Sequence, residues 1–472
     1  MQTHHVFLIE WGVRVLMALV IIRRKRAPST ALAWLAVVSF VPIFGALAYL
    51  LIGENRLGGR RLRAFRALGA VPSPALEAAR AAFEADLDPR FRSVARLAEA
   101  VGAGSSVAGA DLELLSSPEG WRLAAEAAID GATHHVHMLY FICRDDDTGR
   151  AVGHALQRAA ARGVKCRLLV DAVGSRGFLR SPLRVDLESG GVKVIEVMPV
   201  NPLRAAVARL DLRNHRKLLI VDGAVAITGS HNLADAIDPR KAHLGPWVDA
   251  SVRLTGPVVD LLQAVFLRDW TFCGGAPAGD DLFAGTLRAP VVPVQTLPTG
   301  PDGSGAPLVE VMGQAIAAAR RSVTLTTPYF VPDEAILAAL RAAALRGIEV
   351  TLILPRRSDH RITQAAGRSH YGELLEVGVA IHEYQGGLLH AKTVRIDDTF
   401  AIVGSANLDV RSFLLNFEMA LLVYDRGFAS RLRGLHASYL AASRRLDVAR
   451  WQRRGPVRTF ADNVAKLLTP LL

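Results

Sequence analysis

The feature that most constrains the fold of this chain is an internal duplication. Counted from His215 and from His390, Lys stands at +2 (Lys217, Lys392), Asp at +7 (Asp222, Asp397) and Ala-Ile at +11 and +12. Gly-Ser follows at +14 and +15 (Ser230, Ser405) and Asn-Leu at +17 and +18 (Asn232, Asn407), with no gap needed. Upstream, Tyr140-Phe141 is echoed by Tyr329-Phe330, and a run of alanines ending in Arg162-Gly163 is echoed by one ending in Arg346-Gly347. Each Arg-Gly leads into a short aliphatic run, 164–170 and 348–354, so each half reads strand, helix, turn, strand. That alternation predicts an α/β sandwich in each half.

The His-x-Lys segments lie in apolar runs that end at an Asp turn and then restart, which suits a β-hairpin. On a strand, residues i and i+2 share a face, so each hairpin presents His and Lys together. A chain of 472 residues accommodates two such domains. The plan expected is a membrane anchor over 1–55, a helical connector over 56–108, a first α/β domain over 109–280 and a second over 281–472.

The anchor is read from two apolar stretches. Residues 30–52 carry no charged side chain, and 23 residues in a helix are enough to cross a hydrocarbon core of about 30 Å. Residues 6–22 hold Glu10 and Arg14, which at i,i+4 can pair on one helix face. A helical hairpin spanning the membrane is expected, although basic residues on both sides of the second stretch leave its orientation open. A secretory signal peptide is disfavoured because the apolar run is too long for a signal core.

The balance of 56 Lys+Arg against 44 Asp+Glu gives +12, which favours an anionic partner. Only seven of those basic residues are Lys, and two of them are Lys217 and Lys392. Cys143, Cys166 and Cys273 form no CxxC pair, which argues against a zinc site or a disulfide framework. His134, His135 and His137 lack a companion Cys or acid at ligand spacing, and Asp145, Asp146 and Asp147 read as a solvated turn.

Taken singly, His-x-Lys on a strand is more often a surface pair than a catalytic one. Two copies with matching downstream offsets can instead converge at a pseudo-twofold interface to give one active site. Cleaving a phosphodiester needs a nucleophile, a proton donor for the leaving alkoxide and cations on the phosphorus oxygens. One His can attack and the other protonate, while Lys217, Lys392, Asn232 and Asn407 hold oxygens. The attacker must start neutral and the acid charged, so carboxylates are expected beside the rings. Asp249 and Glu418, each a lone acid in an apolar segment after its motif, are the candidates, and a loop insertion over 237–244 accounts for their unequal offsets. Asp222 and Asp397 complete the motif but sit at the strand ends, where a structural role suits them better.

With these motifs, the chain resembles the phospholipase D superfamily and, within it, the bacterial cardiolipin synthases. The segments that carry the resemblance are Asn214–Gly223, Leu254–Pro257, Phe266–Trp270, Thr327–Asp333, Gly404–Phe413 and Leu415–Glu418, with Ala33-Trp34 to Gly53 similar to that family's anchor. The resemblance implies transfer of a phosphatidyl group between two phosphatidylglycerol molecules through a phosphohistidine, without metal or nucleotide. It also implies residence in the bacterial inner membrane as a multi-pass protein, with anionic lipid rather than nucleic acid as partner. By analogy His215 is the attacker and His390 the general acid. The chain departs from the family at Thr228-Gly-Ser-His-Asn232, where Gly-Gly-x-Asn is expected, and this bears on headgroup or acceptor preference. A hydrolytic phospholipase D, another headgroup-exchange enzyme, a superfamily nuclease and a catalytically inert membrane protein remain as alternatives.

Overall fold

The computed structural model describes residues 2–24, 28–53, 87–102, 107–200, 209, 211–276, 282, 292–301 and 305–467. Most of the expected connector and the expected domain boundary at 280/281 lie outside the described residues.

The first half contributes β1 (Val107–Leu115), β2 (His135–Tyr140), β3 (Lys165–Asp171), β4 (Lys193–Val197), β5 (Arg213–Asn214), β6 (Leu218–Val221), β7 (Val225–Gly229), β8 (Trp247–Val248) and β9 (Ser251–Thr255). The second contributes β10 (Val292–Thr299), β11 (Ser322–Thr326), β12 (Glu349–Pro355), β13 (Ala380–Tyr384), β14 (Leu388–Leu389), β15 (Thr393–Ile396), β16 (Phe400–Gly404), β17 (Asn416–Val423) and β18 (Ser443–Arg445). Across the sheet the order is β4-β3-β2-β6-β7-β9-β1, then β10-β17-β16-β15-β11-β12-β13-β18. Apart from the terminal β18, the second series is the first reversed, strand for strand. The join is the antiparallel pair β1·β10, so the pseudo-twofold axis runs through it and the sheet continues from one half into the other.

Each half is parallel at its outer end (β2-β3-β4, β11-β12-β13) and antiparallel toward the join. Parallel strands need crossover helices, and the sequence starts these cleanly. Ser117, Asp146, Asp333 and Asp425 each accept a backbone N–H at the head of the helices Pro118–Asp130, Asp147–Ala161, Glu334–Leu345 and Arg426–Ala441. Gly163 and Gly347, at φ +89° and +84°, end the matching crossover helices in a backbone conformation that costs other residues energy. The Arg-Gly turns therefore correspond as the sequence predicts. Asp146 is thus a helix cap, and Asp145 pairs with Arg150.

The core forms three layers. One cluster, including Trp121, Val136, Leu156 and Leu168, packs the outer face of the first half. Its counterpart in the second half includes Phe330, Leu340, Leu352 and Phe400, and it also buries Phe91, Val94 and Ala98 at the end of the connector. Between them a third cluster draws Ile220 and Leu254 from the first half and Val403 and Leu421 from the second against the helices Val258–Phe272 and Arg426–Ala441. This shared layer holds the two motifs in one rigid frame.

Strand register corrects one sequence correspondence. Val136 lies opposite Val221 and Val323 opposite Ile396, and those partners both stand six residues after their His. Val136 therefore matches Val323, which aligns Tyr140 with Thr327 and Ile142 with Tyr329 rather than Tyr140-Phe141 with Tyr329-Phe330. The aromatic echo is coincidental.

At the N-terminus a helix Gln2–Ile22 is followed by Pro28–Phe40, Pro42–Ala48 and a π turn Tyr49–Gly53. The expected single helix over 30–52 is broken at Val41, because Pro42 has no N–H to continue the ladder and disfavours helical geometry in the residue before it. The chain turns back tightly there: a Cβ on Gly45 would lie 2.9 Å from the Val37 carbonyl. Met17, Ile21, Trp34, Val38 and Tyr49 pack the hairpin, Arg14 pairs with Glu10 at 3.3 Å as predicted, and its Nε donates to the Ser39 carbonyl. Among the described residues no helix is long and apolar enough to cross a membrane.

Candidate active site

The two His-x-Lys motifs sit just after β5 and β14, and each of these short strands pairs outside its own half. β5 runs parallel to β17, with Arg213 opposite Asn416 and Asn214 opposite Phe417. β14 runs parallel to β8, with Leu388 opposite Trp247 and Leu389 opposite Val248. This crossing delivers each imidazole to the carboxylate of the other half. His215 Nδ1 lies 3.0 Å from Glu418 Oε2, and His390 Nδ1 lies 2.6 Å from Asp249 Oδ1.

The carboxylates are themselves fixed. Ser405 Oγ donates to Glu418 at 2.5 Å and accepts the Met419 N–H, while Ser230 Oγ donates to Asp249 at 2.6 Å and accepts the Ala250 N–H. Register confirms the equivalence, since Gly229 faces Ser251 and Gly404 faces Ala420, two residues beyond each acid. The six extra residues fall where the insertion was expected, in a 3-10 segment at Pro239–Leu244.

Both histidines open onto one cavity of about 520 Å³, lined also by Asn232, Asn407, Trp247 and Tyr329. Trp247 stacks on His390 at 4.9 Å and Phe141 meets His215 edge-on at 4.8 Å, which shields one side of each ring. Asn232 Nδ2 and Asn407 Oδ1 are buried and have no hydrogen-bond partner among the described residues. Two unsatisfied amide ends on residues that line the cavity are what a bound polar ligand would fill. Lys217 and Lys392 are buried and do not line the cavity, each donating Nζ to the carbonyl of its own His at 2.7 and 2.6 Å.

The electrostatics tie the four groups together. Burial pushes the His215 imidazole down to about 4, against the upward pull of Glu418 and with further depression from Lys217 and Lys392. Burial also lowers His390, and both ammonium groups add to it while Asp249 opposes them. Each ring therefore feels the cations of both halves. Desolvation brings Lys217 down to about 8 and Lys392 well below the usual lysine range. Burial alone would raise Asp249 and Glu418, but the neighbouring His and Lys charges override it and hold both below the usual carboxylate range. Burial and the two ammonium groups thus favour the neutral form of both imidazoles. An anionic phosphodiester brought beside them favours the protonated form again.

Asp222 and Asp397 are not brought to this cavity. They occupy the turns at φ +53° and +51°, where Asp222 accepts the backbone N–H groups of Thr133, His134 and His135. Asp397 accepts those of Arg320, Arg321 and Ser322. They staple each motif hairpin to the neighbouring strand. His135 and His137 pack on Gln263 and Phe266 in the core, and among the described residues no three His, Cys, Asp or Glu side chains are grouped to hold a metal ion. Cys143 and Cys166 are buried. In the segment that departs from the family pattern, Ser230 replaces the second Gly and holds Asp249, while His231 stacks on Trp121 and bonds Ser251 and does not line the catalytic cavity.

The sequence reading missed the brace under the first motif. Arg216, 1% exposed, directs Nη1 to both oxygens of Asp269 (2.8 and 2.6 Å), Nε to the Glu418 carbonyl and Nη2 to the Thr299 carbonyl. Asn214 Nδ2 reaches the same Asp269 at 3.1 Å. An Arg between His and Lys in an apolar run was the available signal, sharpened by Ala391 at the equivalent place. Arg144, Arg213, Lys241, Asp359 and Arg411 also line the cavity without belonging to either motif.

Comparison with known proteins identifies the family. A family model described as "Cardiolipin synthase, PLD-like domain" matches residues 126–270 and 312–437, and one described as a phospholipase D-nuclease N-terminal region matches 14–54. Cardiolipin synthase A of Klebsiella pneumoniae (strain 342) is 35% identical over 465 residues, covering 96% of this chain and 95% of that protein. Cardiolipin synthase A of Serratia proteamaculans (strain 568) is 36% identical over the same span. Among solved structures, phosphatidylserine synthase of Haemophilus influenzae superimposes with a TM-score of 0.57 at 15% identity, covering 76% of this chain and 95% of that one, a likeness of fold.

Proposed function

The chain belongs to the cardiolipin synthase family of phospholipase D-like proteins, and from that premise we propose how its residues transfer a phosphatidyl group from one phosphatidylglycerol to another. The observation that carries the reading is the pair of crossed imidazole–carboxylate couples opening on one cavity. His215 Nε2 attacks phosphorus of the first lipid, and the bond from phosphorus to the glycerol oxygen breaks. His390, protonated once the anion is bound, gives its Nε2 proton to the departing glycerol. A hydroxyl of the second lipid's glycerol headgroup then loses its proton to His390 and attacks the phosphohistidine, and the phosphorus–nitrogen bond breaks to give cardiolipin. Lys217 and Lys392 stabilise the charge on the phosphorus oxygens, and Asn232 and Asn407 bond to them. The assignment of roles is supported by the shorter carboxylate contact of His390, 2.6 Å against 3.0 Å, which favours the imidazolium there.

The same reading makes residues 2–53 a hairpin embedded in the bacterial cell membrane, with the substrate drawn from that bilayer. What supports it is surface chemistry: Phe7, Leu8, Leu16, Ile22, Phe40 and Phe44 are all more than half exposed. The test is to incubate detergent-solubilised protein with phosphatidylglycerol and measure cardiolipin and glycerol, beside His215→Ala and His390→Ala. Equimolar cardiolipin and glycerol are expected, with both variants inactive. Phosphatidic acid as the sole lipid product would refute the synthase, and full activity in either variant would refute the shared site.

A further inference from the structure

A second apolar surface stands at the other end of the chain. In the helix Pro456–Leu467, Asp462 and Ala465 face inward and are buried, while Val457, Phe460, Val464 and Leu467 are 82%, 70%, 42% and 76% exposed. Their spacing of three, four and three residues puts them in one stripe. The helix is fastened down: Arg368 and Arg454 clamp the Asp462 carboxylate at 3.0 and 2.9 Å, and Ala465 packs on Ala366 and Val331. The outward stripe is therefore a fixed feature of the surface.

Beside it lies a cavity of about 500 Å³ lined by seven arginines against Glu383 and Asp447. The guanidinium groups of Arg445, Arg450 and Arg458 form no ion pair among the described residues, where Arg444 and Arg454 pair with Glu383 and Asp462. The combination has a position too. The helix Arg361–Arg368 beneath the stripe exposes Ile362 and carries Thr363 to the catalytic cavity, which Val331 also lines.

We propose that this C-terminal helix and its flanking arginines form a bilayer-docking surface that seats the mouth of the catalytic cavity on an anionic membrane, independently of the N-terminal hairpin. Insertion of the stripe to the depth of the acyl boundary puts the arginines at the level of the lipid phosphates, where their planar forks bind oxygen pairs. A protein partner would have to match both an apolar ridge and a dense cationic cavity. A membrane of phosphatidylglycerol supplies both layers in that order. The function this surface serves is lipid supply, so the inference rests on the reading of phosphatidylglycerol as substrate.

The test uses the full chain reconstituted in phosphatidylcholine vesicles containing phosphatidylglycerol, and in parallel the same protein acting on monomeric short-chain phosphatidylglycerol. Two variants are compared with the parent, Phe460→Asp with Val464→Asp, and Arg450→Glu with Arg458→Glu. On vesicles each raises the apparent KM roughly five-fold or more with kcat within two-fold, while turnover of the monomeric lipid is unchanged. Equal loss on monomeric lipid, an unchanged vesicle KM, or an effect of the arginine pair alone overturns the docking surface. Failure of the parent on both lipids would instead overturn the proposed substrate.

Discussion

Replacing Asp249 by Asn leaves the shape of the site and an oxygen acceptor for His390 Nδ1, but removes the charge 2.6 Å from the ring. Both partners are buried, so solvent screens little of that charge. A hydrogen bond to an ionised group contributes about 1.5–3 kcal/mol, and at ~1.4 kcal/mol per decade the imidazolium loses about ten- to 150-fold in population. The sign follows from the neighbours: burial and the two ammonium groups already lower His390, and Asp249 is what opposes them. Without it the proton leaves at lower pH, so the alkaline limb of the glycerol-release rate moves toward acid and the rate at pH 7 falls by a similar factor. Glycerol release at saturating phosphatidylglycerol, followed from pH 5 to 9 in parent and Asp249→Asn, reads both effects. Ser230→Ala, which keeps the charge and loses one of its supporting bonds, is expected to fall much less. An unshifted pH profile with a rate within about three-fold of the parent would refute the role given to this couple.

Asp269→Ala strands Arg216 in the core, and removing one partner of a buried ion pair costs about 3–5 kcal/mol; chemical denaturation should show the loss together with collapse of activity. Asp222→Ala removes the acceptor of three backbone N–H groups at a left-handed turn, so about 3 kcal/mol of stability should go while the kcat of the folded fraction stays within a few-fold, measured by denaturation and by active-site titration. Lys217, held down to about 8 by burial, loses its charge as pH rises through that value, so kcat/KM for phosphatidylglycerol should fall above pH 8, and Lys217→Met should be slow throughout and lack this limb. A pH-independent kcat/KM from 7 to 10 in the parent would contradict it.

How much of this was legible depended on whether the signal was local. The motif offsets and the insertion before Asp249 were readable because duplication preserves spacing, and the Arg-Gly turns because only Gly adopts that backbone cheaply. Which acid serves which histidine was not readable. Both acids follow their own motif in sequence, and only the pairing of β5 with β17 and of β8 with β14 sends each ring across. Arg216 was hidden for a related reason, since its partners Asp269, Thr299 and Glu418 come from 53, 83 and 202 residues away. At the N-terminus composition spoke for an unbroken helix over 30–52, and the one residue that breaks it, Pro42, was in plain view.

The crossing also explains why the two halves are fused. An imidazole whose carboxylate lies in the other half is oriented only when both halves are docked, so neither half holds a complete couple by itself. Exact symmetry would nevertheless give both rings the same protonation, and the reaction needs them to differ. The structure breaks the symmetry in the residues around the motif: Arg216 braces the first against Asp269 where the second has Ala391, and the Glu418 and Asp249 contacts differ in length. Both lysines depress both rings, so on the proposed roles it is the imidazole beside the braced Arg216 that attacks as the neutral partner. The other, on the shorter carboxylate contact, is the one better placed to take up a proton when the phosphodiester arrives. On the proposed mechanism, a duplicated fold thus supplies two matched rings, and a few unmatched neighbours divide the work between them.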